Sequence, residues 1–350
     1  MKTITVSASR DYDVCIGAGL LKTCGERLAA LPGIRAAAVV TDSIVAGLYA
    51  DTVCAALERA GLRVCRFVFP AGEAFKTLRT YGELLGFLAD NRLTRSDVLV
   101  ALGGGVTGDM TGFAAATYLR GIRFVQLPTT LLAAVDSSVG GKTAVDLPGG
   151  KNQMGVFSQP RLVLCDTETF RTLPREVLAE GWAEAVKCAF LREGPLQELL
   201  LGETPEERIE ELVAECVKLK AGLVEADERD QGARRLLNFG HTVGHAIERC
   251  SGWRWHHGPA VAVGMAVMTR ACAARGFCDA ETLETLETLL RRFSLPLRCP
   301  YGAEELLAAA ASDKKRAGER LTLVLPRRFG RCELVESDDR ELGELLALGL

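Results

Sequence analysis

The 350-residue chain has only four histidines, and all of them fall between positions 241 and 257. Its 12 cysteines include no C-x-x-C pair, no run of 18 uncharged apolar residues occurs, and the formal charge is only −3, with a pI near 6.0. Each absence excludes something. Without a long apolar run no membrane span is indicated. Without a basic excess there is no stripe for a nucleic acid, and the short cluster Lys314-Lys315-Arg316 reads as a solvated loop. Met1 to Arg10 alternates like a strand, through Ile4 and Val6, and not like a signal peptide. The cysteines therefore read as reduced, mostly buried thiols of a cytoplasmic protein. A hydrophobic share of 48% excludes wholesale disorder, and the length suggests two domains.

What is present is an alternation of strand and helix signals in the first half. Apolar or β-rich runs at Ala37–Thr41, Leu62–Phe69, Asp97–Leu102, Phe124–Leu127 and Leu162–Leu164 predict strands. Helical spacing lies between them, through Val45, Leu48, Val53 and Leu57, and again from Thr77 to Leu88. Parallel βαβ units follow. After Pro174 the character changes. Arg175–Leu191, Glu206–Glu228, Leu237–Cys250, Val261–Arg275 and Ala280–Phe293 all carry helical periodicity, and strand signals nearly vanish until Leu321–Leu325. The expected organisation is an α/β domain over residues 1–174 and a mainly helical domain over 175–350.

Three glycine-rich segments suggest anion binding. Gly103 to Asp109 follows a strand, precedes a helix and formally fits G-x-G-x-x-G, although no acid stands about 20 positions on. Asp42 and Glu73, each just past an earlier strand, could hold ribose hydroxyls instead. Asp136 to Thr143 and Gly149 to Asn152 each present a lysine from a flexible backbone, suited to phosphate or carboxylate. The first of these ends like a P-loop, but Asp136 stands where glycine is required, which disfavours ATP hydrolysis. Arg120 adds a cation before a strand.

Glu184 and Lys187, at i and i+3 on a predicted helix, read from spacing as a surface ion pair. His241 and His245, at i and i+4, share a helical face, as paired metal ligands do. Thr242 replaces the glutamate of H-E-x-x-H, so this is no zincin protease. Spacing favours His241 with His245 as joint ligands, with His256, His257 and an acid as further candidates.

Together these segments resemble the 3-dehydroquinate synthase family. The resemblance runs from about Asp42 to Pro326 on Gly103 to Asp109, Arg120, Pro128 to Thr130, Asp136 to Thr143, Gly149 to Asn152, Ala183 to Lys187, Leu236 to Glu248, His257-Gly258 and Asp313 to Lys315. It implies a Rossmann-like domain, a helical domain, an active site in the cleft between them, a homodimer, NAD and one divalent metal, zinc or cobalt. It assigns the metal to Glu184, His241 and His257, against the spacing argument, and leaves His245 to proton transfer. It places NAD at Asp42, Glu73, Lys76, Gly104, Gly105, Asp109, Thr129, Thr130, Lys151, Thr169 and Thr172. Catalytic roles would fall to Lys142, Asp136, Lys187, Asp230, Arg234 and Asn238. Substrate contacts would fall to Arg120, Asn152, Lys220 and one of Lys314 or Lys315. The implied reaction converts 3-deoxy-D-arabino-heptulosonate 7-phosphate to 3-dehydroquinate and phosphate, through transient oxidation, elimination, reduction, ring opening and aldol closure.

Three positions depart from the family pattern: Ala144-Val145-Asp146 for Gly-Val-Asn, Asp230 for a glutamate suspected as a base, and Pro259 for an acid. A shifted helix would let the shorter Asp230 reach, and proline is tolerated in a helix's first turn. The rival readings are another sugar phosphate cyclase such as a 2-deoxy-scyllo-inosose synthase, a metal-dependent glycerol dehydrogenase-like enzyme, and a non-enzymatic nucleotide-binding module. Arg120, Asn152 and His245 favour the dehydroquinate reading over the first. The last leaves Glu184, His241 and His257 unexplained.

Overall fold

A computed structural model describes residues 1–311 and 321–350. It divides into two compact units. One holds Met1–Leu173 with Lys220–Arg229, and the other Pro174–Leu219 with Asp230–Leu350. Lys220–Arg229, expected with the helical half, groups with the α/β half.

The first unit is built on a seven-stranded sheet. Its strands are β1 (Lys2–Val6), β2 (Tyr12–Gly17), β3 (Ala36–Asp42), β4 (Arg63–Phe69), β5 (Val98–Gly103) and β6 (Arg123–Pro128), closed by β9 (Leu162–Asp166). The order is β1-β2-β9-β6-β5-β3-β4, parallel throughout except for the β1–β2 pair. Strand β5 is buried at every position, which explains its uninterrupted apolar sequence. Between the strands run α1 (Leu20–Ala29), α2 (Ser43–Val45), α3 (Asp51–Arg59), α4 (Leu78–Asp90) and α5 (Gly105–Thr117). One side of the sheet packs Leu28, Val53 and Leu57 against Val100 and Leu102. The other packs Leu84, Leu88 and Met110 against Leu99 and Phe124. Each such fully buried side chain contributes about 1.5–3 kcal/mol.

Two of the segments expected as flexible loops are partly a hairpin. Strands β7 (Lys142–Leu147) and β8 (Gly150–Phe157) pair antiparallel, with Leu147 opposite Gly150 across Pro148-Gly149. The alternation in Thr143–Val145 and Met154–Val156 is the strand signal that the surrounding glycines obscured.

The second unit is mainly helical, as the periodicity required. Its helices are α6 (Arg175–Leu191), α7 (Pro195–Leu201), α8 (Ile209–Ala226), α9 (His241–Cys250), α10 (His257–Ala274), α11 (Ala280–Arg292), α12 (Ala303–Ala311) and α13 (Asp339–Gly349), the division between units falling within α8. Strands β10 (Leu321–Arg328) and β11 (Arg331–Ser337) form a hairpin. Helices α6, beyond its exposed first turn, and α10 are mostly buried and form its centre, with Trp182 stacked on Phe293 at 4.3 Å between ring centroids. None of the described helices is long and apolar enough to cross a membrane. All 12 cysteines are thiols, eight of them buried.

Candidate active site

In the first unit the sheet gathers one group of candidates. Strand β3 has β4 on one side and β5 on the other, so the strand order reverses there, and open parallel sheets bind ligands outside the carboxyl ends at such a point. Those ends carry Asp42 (β3), Glu73 and Lys76 (after β4), Gly104 and Gly105 (after β5), Thr129 and Thr130 (after β6) and Thr169 and Thr172 (after β9). Helix α5 starts at Gly105 with no side-chain cap on its first amides, an arrangement suited to a pyrophosphate.

Lys76 is the centre of this group. It is 3% exposed, and its Nζ lies 2.6 Å from Asp109 Oδ2, 2.5 Å from Asn152 Oδ1 and 4.0 Å from Glu73 Oε1. Burial pulls its pKa down, but Asp109 and Glu73 outweigh that, and the net direction is up, so the ammonium is kept. Lys151 Nζ reaches Glu73 Oε1 at 3.9 Å. Asn152, read as a substrate residue, thus sits within the same polar cluster. Its backbone has φ 53°, and its N–H donates to Asp146 Oδ1 at 2.7 Å. Asp42 also has a local task, since its carboxylate accepts from the amides of Ile44 and Val45 at 2.9 and 3.0 Å as the cap of α2. Thr172 Oγ1 lies 2.5 Å from Tyr49 Oη.

A second cluster in this unit joins Asp136 to Lys220, whose Nζ donates to both the carbonyl and the carboxylate of Asp136. Lys142 is exposed at the start of β7. Arg120 stands apart. Helix α5 carries the chain from the carboxyl edge of the sheet back to its amino edge, and at 1.5 Å per residue its length is about 20 Å. Arg120 follows it, exposed, with φ 65°, just before β6 begins. Within this chain the structure does not bring it to Gly105 or Thr129.

The second unit gathers the histidines around Glu184. One ligand atom from each of Glu184, His241 and His257 lies within 4.8 Å of the others. His257 Nε2 is 3.4 Å and His241 Nε2 3.8 Å from Glu184 Oε1. His241 Nδ1 faces the Phe239 carbonyl at 3.1 Å, which leaves Nε2 for a ligand. His245, one turn along α9, belongs to a different group, with Glu248 and His257. The i, i+4 argument for His241 with His245 is thereby replaced. It identified a shared helical face but not the acid on another helix that faces it. His256 is turned to Glu180 at 3.1 Å.

Backbone approaches set this geometry. His241 and His257 are the first residues of α9 and α10. A Cβ on Gly258 would lie 2.4 Å from the Glu180 Cα, so only glycine lets the start of α10 settle onto α6. Gly240, at φ 78°, turns the chain into α9, and its carbonyl would lie 2.0 Å from a Cβ on Gly264. Pro259 lies in the first turn of α10, where its ring is tolerated.

Glu184 and Lys187 form an ion pair at 0% and 1% exposure. The surface reading fails because α6 is enclosed on nearly all sides, which spacing alone does not reveal. Burial lowers the His257 pKa, but Glu184 and Glu248 outweigh it and push it up to about 10. Two histidines and a carboxylate with aligned nitrogens are a donor set that zinc and similar ions favour, and the buried acidic charge suits a dication. Arg234 is 1% exposed and Asn238 partly buried, both in the turn that leads into α9. Asp230 lies in the loop after α8 with φ 58°, not on a helix. Lys314 and Lys315 lie outside the described residues. Glu248 carried no role in the sequence reading. Its signal was its place at seven after His241 and three after His245, on the same helical face.

Comparison with known proteins agrees with this layout. Residues 66–180 match the family described as 3-dehydroquinate synthase N-terminal, and residues 181–316 match 3-dehydroquinate synthase C-terminal. The 3-dehydroquinate synthase of Symbiobacterium thermophilum is 45% identical over 340 residues, covering 94% of each chain. Among solved structures, a 2-deoxy-scyllo-inosose synthase complexed with carbaglucose-6-phosphate, NAD+ and Co2+ superposes with a TM-score of 0.89 at 25% identity, over the whole of both chains. The 2-epi-5-epi-valiolone synthase of Streptomyces hygroscopicus subsp. jinggangensis, with NAD+ and Zn2+ bound, does so at 0.88 and 27%, over 98% of each. With 45% identity to a curated synthase over nearly the full length and both halves matched in order, the chain belongs to the 3-dehydroquinate synthase family.

Proposed function

We propose that this chain is an NAD- and metal-dependent phosphate lyase that converts 3-deoxy-D-arabino-heptulosonate 7-phosphate to 3-dehydroquinate and phosphate. The observation that carries the reading is the Glu184, His241 and His257 donor set, with Lys187 buried beside it. Family membership supports the same substrate, and the cyclases of known structure bind NAD+ with Co2+ or Zn2+.

Glu184, His241 and His257 would hold a zinc or cobalt ion, which acts as a Lewis acid that makes a bound hydroxyl easier to deprotonate. Asp42, Glu73, Lys76, Gly104, Gly105, Asp109, Thr129, Thr130, Lys151, Thr169 and Thr172 would hold NAD, a hydride acceptor restored in each turnover, so that the overall change involves no net oxidation. Lys142, Lys187, Lys220, Arg234 and Asn152 supply cations and a donor for the substrate's phosphate and carboxylate, and fixed cations of this kind stabilise charge without reorganising. The Lys220–Asp136 pair presents its ammonium from a set position. Asn238 serves as a hydrogen-bonding partner for a hydroxyl. His245 moves a proton near the metal ligands, its ring 5.5 Å from that of His241. Asp230 serves as a base from the loop after α8, where its backbone is left-handed. Full turnover by Asp230→Ala would remove it from that role. We also propose a homodimer, which sedimentation would test.

The deciding experiment is phosphate release from the heptulosonate phosphate with NAD and zinc present, while absorbance of NADH is followed. Phosphate without lasting NADH supports the cyclisation. Lasting NADH points to a dehydrogenase, and no phosphate overturns the substrate assignment.

A further inference from the structure

The Glu248 carboxylate is 1% exposed, and its Oε2 stands 3.6 Å from His257 Nδ1. The opposite nitrogen of the same ring, Nε2, stands 3.4 Å from Glu184 Oε1. The imidazole therefore lies between two buried acids on different helices, one facing each nitrogen. His245 shares the Glu248 side of this arrangement, and the three residues His245, Glu248 and His257 are close enough to be mistaken for a second cation site.

The chemistry of imidazole decides between the two. A neutral ring has one nitrogen with a lone pair and one that bears hydrogen. If Nε2 gives its lone pair to a metal held with Glu184 and His241, Nδ1 keeps its proton and needs an acceptor. Glu248, with Oε2 3.6 Å from that nitrogen, is the acid placed to accept it, and a second metal would have to displace the proton. His241 repeats the pattern, its Nδ1 facing the Phe239 carbonyl at 3.1 Å. Both rings thus point Nε2 at Glu184 and Nδ1 at an oxygen, a carbonyl in one case and a carboxylate in the other.

We infer that Glu248 is a positioning residue of the metal site, which fixes the tautomer and orientation of His257 and makes its Nε2 a stronger donor, and that it is not a ligand of a second ion. This rests on the metal reading proposed above. Groups behind a histidine ligand typically change metal affinity 10–100-fold.

The test uses the full-length chain, stripped by a chelator and titrated with Zn2+ and with Co2+ against a chromophoric competitor. Wild type is expected to bind one ion per chain. E248Q is expected to bind one ion about 10–100-fold more weakly, with a shifted Co2+ absorption spectrum. E248D keeps the charge but withdraws it by one methylene, and should fall between the two; it also gives the answer if E248Q does not fold. Affinity within twofold of wild type and an unchanged Co2+ spectrum would overturn the inference. So would two ions in wild type with one lost in E248Q, which would make Glu248 a ligand. A wild-type chain that binds no ion would instead overturn the metal reading, and this inference with it.

Discussion

Lys220 Nζ lies 2.7 Å from both the carbonyl oxygen and Oδ1 of Asp136, a residue 84 positions earlier in the chain. The lysine opens the last part of α8, Lys220–Ala226, which groups with the α/β unit, whereas Ile209–Leu219 of the same helix groups with the helical one. A pair formed across so large a separation, at 7% and 23% side-chain exposure, holds the ammonium in one place.

Replacing that lysine tests the point. Lys220→Met should lower kcat/KM for the heptulosonate phosphate by about 10²-fold, the usual cost of one preorganised charged contact. A loss below threefold would return Lys220 to a structural role.

Glu184 faces Lys187 and is proposed as a metal ligand, and its removal should show both. Glu184→Ala takes away the carboxylate that buried Lys187 faces, which typically costs about 3–5 kcal/mol even in metal-free protein. His241→Ala should lose metal equally but leave the metal-stripped unfolding midpoint much closer to wild type. Equal midpoints for the two stripped variants would refute the distinction. Glu184→Ala with Lys187→Met should recover part of the loss.

Glu228 gives a prediction with a definite sign in pH. Its carboxylate accepts from the Ser9 amide at 2.8 Å, from Ser9 Oγ at 2.6 Å and from Gln159 Nε2 at 2.8 Å. Burial raises its pKa, but these donors outweigh that and lower it overall. The stabilisation is therefore present above the ordinary glutamate value and disappears as pH falls through the lowered native one. Glu228→Gln should cost about 1 kcal/mol at neutral pH, given the partly exposed setting, or about 2–4 °C in midpoint. The two midpoints should converge in acid, and a gap that persists there would contradict the assignment.

The thiols should be slow to react. Burial pushes the pKa of Cys24 and Cys278 up to about 11 and that of Cys272 to about 12, and Cys332 higher still. A pKa near 11 leaves about one thiolate in a thousand at pH 8. Iodoacetamide at pH 8 should spare these four in the native chain and reach all 12 cysteines in denaturant. Labelling of the four before Cys54 or Cys65 would count against the packing described.

Much of the fold was legible because its signals are local. Val98 to Leu102 is a buried parallel strand and carries no polar interruption, and Arg175–Leu191 has the same bounds as α6. The hairpin over 142–157 was missed because glycines flank and interrupt a weak alternation. The site was less legible from spacing, for a physical reason. Periodicity tells which residues share a face, as it did for His241 and His245, but not what that face meets. It placed Glu184 and Lys187 on a surface when the helix is enclosed, and it gave Arg120 no address in space. The family resemblance supplied Glu184, His241 and His257 as a set, and their proximity is a fact of tertiary packing.

Those three side chains are held by main-chain crowding, with Gly258 pressed on Glu180 and Gly264 on Gly240. The helices, and not an ion, carry the cost of bringing the donors together. A site assembled in advance has nothing to refold when its metal is withdrawn. Such a chain should be emptied by a chelator and refilled, and should exchange zinc for cobalt, with no change in its far-ultraviolet circular dichroism.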